Sequence, residues 1–360
     1  MIILFKAVLY IVYSLLVGGL LLESIPSNQK PKVTISKELL LWLIGTVPVI
    51  TFVLMLDIIR YLSESIGYWE TFTSVLFTFT IGKAWLASVL VSIILFLLVY
   101  KNNLSNNTFY ARLGLFLMAI LIGTYSFASH SASLYPVLGF LAHFIHVSAI
   151  VSWVGVLLYV SWSADPNSRW LPFLNWFTPF SIGTVLILTG GGLLINEIVA
   201  PQYVDSWVLD YGQALLIKHL LLIPLFLYAI IHSIYLKKSI KLRGSAHIQR
   251  SLKGETIIIL FVFAVTGFLS QQVPPHEVWR TLLQEEPSPL FMLQYDGEID
   301  PQLILTFAWT KASTIWAIVT AATISFTTFS IMKRWPIIVS VLSGLVVTFS
   351  AYMALISGVL

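Results

Sequence analysis

Residues 137–162 read VLGFLAHFIHVSAIVSWVGVLLYVSW, and they contain no Asp, Glu, Lys or Arg. At 1.5 Å per residue a helix of this length reaches about 39 Å, more than the ~30 Å hydrocarbon core of a bilayer. The apolar residues run on without alternating, which argues against the dyad pattern of a membrane β-strand. Only His143 and His146 interrupt the run with ionisable groups.

Runs of the same kind recur from end to end, at roughly 5–23, 39–59, 76–99, 110–129, 137–162, 175–196, 211–236, 256–272, 303–329 and 335–357. Composition agrees: 58% of the 360 residues are hydrophobic, 10% are charged, and the mean hydropathy is +0.90, whereas a soluble domain carries about 25% charged residues. The expectation is an all-α fold, a polytopic helical membrane bundle of about ten transmembrane helices (eight to ten) embedded in the lipid bilayer. The first run lacks a small-residue cleavage pattern and reads as a retained span, not a signal peptide. The stretch 60–75, with Tyr61, Glu64, Tyr68, Trp69 and Glu70, suits an interfacial helix.

The chain has no cysteine, so disulfides, thiolate ligands and thiol catalysis are excluded. HExxH, GxSxG, GxxxxGK and CxxC are also missing, and no catalytic residue is assigned. The net charge of +4 does not point to nucleic acid, because the basic residues collect in particular loops. Lys30, Lys32 and Lys37, Lys101 and Arg112, Arg169, Lys237, Lys238, Lys241, Arg243, Arg250 and Lys253, and Lys333 and Arg334 all flank odd-numbered loops. The positive-inside rule makes those loops cytoplasmic and places both termini outside. The outer segment 273–302 is acidic, with Glu277, Glu285, Glu286, Asp296, Glu298 and Asp300 against Arg280, and would draw cations to that face.

In this topology five of the seven histidines approach the outer face. His130 closes the fourth span. His143 and His146, three apart on one helix face, lie about 9 and 14 Å into the fifth. His219 enters the seventh span, and His276 sits in Pro274-Pro275-His276-Glu277 beyond the eighth. Imidazole is costly in hydrocarbon without a partner and suits copper, zinc, iron and nickel. Copper held by His143, His146 and His219, with His130 and His276 as first ligands at the mouth, is one reading. Haem held by two of His143, His146, His219 and His232 is another. A scaffold of hydrogen-bonded polar residues is the third. His232 lies near the inner end of the seventh span, and His247 lies in the basic loop.

Several polar or bulky residues would support such a site. Lys218 would snorkel outward or pair with Glu197, Asp205 or Asp210; Tyr211 stands beside Asp210, and Trp153 lies below His146 next to Gly155. Gly190-Gly191-Gly192 allows a close helix approach or a broken helix. Ile81-Gly82-Lys83-Ala84 and Tyr211-Gly212-Gln213-Ala214 hint at a duplication.

Over residues 110–276 the chain resembles the CopD copper-resistance family of bacterial inner-membrane proteins. The resemblance rests on Ser129-His130-Ser131, on His143 and His146 followed by Trp153-Val154-Gly155, on Asp210-Tyr211-Gly212 with Lys218, and on Lys253-Gly254-Glu255 leading to Pro274-Pro275. It implies a multi-pass protein of the bacterial cell (inner) membrane. The resemblance further implies that such a protein moves copper inward across the membrane or passes it on from an extracellular or periplasmic copper-donor protein. The chain then divides into amino-terminal transmembrane helices (1–109), a histidine-bearing core (110–276), and an acidic loop with two last helices (277–360).

Overall fold

In hydrocarbon a backbone has no water to bond, so long apolar runs close their own i→i−4 ladders. The computed structural model describes residues 2–105, 107–168, 170–232, 246–295, 297–300 and 302–359. Arg169, Lys237, Lys238, Lys241, Arg243 and Asp296 lie outside the described residues. Among the described residues, ten helices are long and apolar enough to cross a membrane. The protein is therefore an all-helical, polytopic, multi-pass membrane bundle. It divides into two compact units, Met1–Ile198 and Val199–Leu360.

The first unit is built from α1 (Ile2–Ser24), α2 (Lys37–Ile66), α3 (Tyr68–Phe77), α4 (Thr80–Lys101), α5 (Thr108–Phe127), α6 (His130–Leu134), α7 (Leu138–Trp162) and α8 (Trp170–Val199). α1 is apolar on all sides and lies at the centre. Its Leu9, Tyr13, Leu16 and Leu20 pack with Leu40, Ile44 and Val47 of α2, Met118 and Leu121 of α5, and Val147 and Val151 of α7. α1 meets α7 at a glycine pair. A Cβ placed on Gly155 would lie 2.0 Å from the Ser14 carbonyl oxygen, and one on Gly18 would lie 2.2 Å from the Gly155 carbonyl carbon. The helices thus touch backbone to backbone, as small residues permit in membranes.

The stretch 60–75 divides between two helices. α2 continues to Ile66, and Gly67, at φ 97°, turns the chain into α3. A side chain is disfavoured at that φ, so glycine sets the break.

The second unit holds α9 (Asp210–Ile231), α10 (Ala246–Leu269), α11 (Val278–Leu282), α12 (Pro289–Met292), α13 (Lys311–Met332) and α14 (Ile337–Ile356). The ninth span begins at Lys311 and not at 303. Thr310 caps it by accepting the Ser313 N–H at 3.0 Å. The residues upstream are used elsewhere: the Leu305 N–H donates to Asp205 at 2.9 Å, and Phe307 bridges Val359.

The acidic segment has a buried underside. Val278 and Phe291 pack with Trp207, Leu216 and Tyr352, while Glu285, Glu286, Glu298 and Asp300 remain exposed.

One local construction occurs three times. A short helix turns into a spanning helix whose second or third residue is a glycine seated on a carbonyl of that short helix. A Cβ on Gly82 would lie 2.0 Å from the Val75 oxygen, on Gly139 1.9 Å from the Ser131 oxygen, and on Gly212 1.9 Å from the Ser206 oxygen. The likeness between residues 81–84 and 211–214 thus has a structural counterpart, and 139 adds a third instance.

Candidate functional site

His143 and His146 lie one and two turns into α7, yet neighbouring helices take them in different directions. Nδ1 of His143 is 3.0 Å from Ser126 Oγ on α5, and its ring lies 5.5 Å from that of Tyr125. His146 Nδ1 is 3.0 Å from the Leu188 carbonyl oxygen on α8. A carbonyl only accepts, so this Nδ1 carries the proton and the neutral ring's lone pair lies on Nε2. Trp153 is fully buried two turns below, beside the Gly155 crossing. His130 does not close the fourth span. α5 ends at Phe127, and His130 opens the short α6, exposed, after the Ser129 cap. Glu197 is exposed near the end of α8.

In the second unit, His219 lies between two polar groupings at the ends of α9. Its Nδ1 is 2.8 Å from Tyr203 Oη, and the rings are 5.4 Å apart. Burial pushes the Tyr203 hydroxyl up to about 12, so it stays protonated at neutral pH. Asp210 pairs with Ser288 Oγ at 2.5 Å, and Asp205 holds the Leu305 N–H. Among the described residues, neither carboxylate forms an ion pair with Lys218. Tyr211 is buried. Gln213 donates to the Trp207 carbonyl and accepts from Tyr352 Oη at 2.6 Å. His276 is half-buried after the Pro274-Pro275 turn.

The other end of α9 carries a buried polar group of its own. Nδ1 of His232 is 2.6 Å from Glu255 Oε2, and its Nε2 is 2.6 Å from Ser251 Oγ, so both ring nitrogens are engaged. Tyr228 Oη donates to Ser340 Oγ at 2.8 Å one turn away.

Sequence reasoning missed Ser126, Leu188, Tyr203 and Ser251, which hold the histidines. Glu255 was visible only as part of a motif. An acid inside an apolar run signals a partner, yet nothing in the sequence points to His232, 23 residues earlier. Among the described residues, no three His, Asp or Glu side chains come close enough to hold a metal ion.

Helices that span the membrane with histidines braced inside them define a class, and sequence likeness names it. Residues 1–139 match the copper resistance protein D-like N-terminal domain, and residues 171–269 match copper resistance protein D. The chain thus carries CopD copper-resistance family domains in both segments and is a CopD-like membrane protein. A relative is the "Copper transport protein CutJ" of Bacillus subtilis (strain 168), 23% identical over 289 residues, with 75% of this chain and 52% of that protein covered. The chain spans about half the length of this curated relative. No solved structure matches it.

Proposed function

We propose that the protein binds copper through imidazole nitrogens on the outer side of the membrane and passes it inward. His143, His146 and His219 are the principal stations, and His130 and His276 are the first ligands at the mouth. The observation that carries this reading is shared by the three stations: each ring is braced through Nδ1 by a hydroxyl or a carbonyl. Metal-binding histidines characteristically use one nitrogen for such a brace and the other for the ion. His232 is held at Nδ1 by Glu255 and at Nε2 by Ser251.

The stations face different neighbours and do not form a three-ligand group. A site of fewer than three such ligands releases an ion readily, which suits transfer better than storage. The name of the Bacillus relative supports the direction toward transport. Basic loops on the cytoplasmic side put both termini outside, where a copper-donor protein would deliver the ion.

Purified full-length protein should bind copper by elemental analysis and accumulate it in proteoliposomes. Each of His143→Ala, His146→Ala and His219→Ala should reduce accumulation. Binding without accumulation would refute transport. A Soret band lost in His219→Ala would replace copper with haem.

A further inference from the structure

The glycine triplet 190–192 is not uniform. A Cβ on Gly190 would meet nothing within 4 Å. One on Gly191 would lie 3.2 Å from both His146 Cβ and the Ala142 carbonyl oxygen, and one on Gly192 would lie 3.2 Å from His146 Cε1 and 3.4 Å from Nδ1. Gly192 therefore presses on the imidazole ring itself, Gly191 faces the root of the same side chain and the α7 backbone, and Gly190 faces open space.

We propose that Gly192 is a positioning residue for His146. Together with the Leu188 carbonyl it holds the proton on Nδ1, which makes Nε2 the nitrogen that would bond copper. The copper part rests on the function proposed above; the positioning part does not.

Helix packing alone would ask for small residues wherever α7 and α8 approach. Here the closest atoms at 192 belong to the end of the ring that makes the brace. The Leu188 oxygen fixes the proton on Nδ1 at 3.0 Å. A side chain at 192 pushes against Cε1 and Nδ1 and drives the ring off that oxygen. Once the brace is lost, nothing at Leu188 selects the Nδ1–H tautomer, and the lone pair is no longer confined to Nε2. A methyl requires the ring to yield by a few tenths of an ångström, and an isopropyl requires more.

The test uses full-length protein labelled with 15N-histidine, without metal. His146→Ala identifies the His146 resonances by their loss. Wild type and Gly190→Val should show the Nδ1-protonated tautomer at His146, and Gly192→Val should lose it. Gly192→Ala gives a smaller shift in the same direction and serves if the valine variant does not fold. An Nε2-protonated ring in wild type, or equal spectra for the 190 and 192 variants, would overturn the positioning role. In copper titrations, the binding that wild type shows over His146→Ala should weaken about ten-fold or more in Gly192→Val and stay unchanged in Gly190→Val. No such copper binding in wild type, with the tautomer pattern as described, would remove the copper part and leave the positioning part standing.

Discussion

Replacing Gly155 with alanine tests the packing on which the first unit depends. The new methyl would sit 2.0 Å from the Ser14 carbonyl oxygen, 2.7 Å from the Gly18 nitrogen and 2.8 Å from the Gly18 Cα. A relaxed C···O contact is about 3.3 Å, so α1 and α7 must part by about 1.3 Å. All three contacts are backbone atoms, so the strain cannot be relieved by a rotamer change. A gap of 0.5–1 Å already forfeits a quarter to a half of the dispersion well of each facing atom pair. α1 and α7 share the central core, through Tyr13, Leu16, Leu20, Val147 and Val151. The cost should therefore reach the upper end of overpacking, about 3 kcal/mol. Reversible SDS unfolding in mixed micelles, followed by Trp fluorescence, would measure it. Gly45→Ala, where a Cβ meets nothing within 4 Å, should stay within about 0.5 kcal/mol of wild type. Gly18→Ala should behave like Gly155→Ala, and the double variant should cost less than the sum, because one separation relieves both clashes. A Gly155→Ala protein as stable as Gly45→Ala would refute the backbone contact.

Three further outcomes follow from the second unit. Tyr352→Phe leaves the buried Gln213 Oε1 without its 2.6 Å donor and should cost about 1–3 kcal/mol in the same unfolding assay. Glu255→Ala strands His232 and should cost about 3 kcal/mol or more; His232→Ala/Glu255→Ala should cost less than the two singles together, and simple additivity would deny the pairing. The Tyr203 hydroxyl holds its proton to about 12 when folded, against an ordinary value of 10.0. Its contribution to stability is intact below pH 10 and is lost as the pH rises toward 12. In melting-temperature profiles, Tyr203→Phe should flatten this alkaline limb and leave neutral pH little changed apart from the lost His219 contact.

The ten spans were legible because twenty apolar residues in a row have one stable solution in lipid. Their ends were less so. Hydropathy carried the ninth span back to 303, but Asp205 and Val359 claim that stretch through contacts distant in sequence. At His130 the apolar count ran past the true stop, since Ser129 starts a new helix there. The histidines themselves were evident from their type and depth. Their braces were not, because Leu188 acts through its backbone, which carries no letter, and Tyr203 lies outside any helical period from His219. The triplet at 190–192 allowed two readings; α8 runs through it unbroken, and only the structure shows the α7 backbone near Gly191 and the His146 ring at Gly192.

A crossing made backbone to backbone also sets where the rest of the helix lies. At Gly18 and Gly155 the two backbones fix the distance between α1 and α7, and Tyr13, Leu16, Leu20, Val147 and Val151 packed around them hold the angle. His146 lies nine residues away, a lever arm of about 13.5 Å. A tilt of 10° at the glycines would swing its ring by about 2.4 Å over such an arm, roughly the difference between touching the Leu188 carbonyl and leaving it. The smallest residues in the unit thus help keep α7 at the angle that leaves His146 within reach of the Leu188 carbonyl.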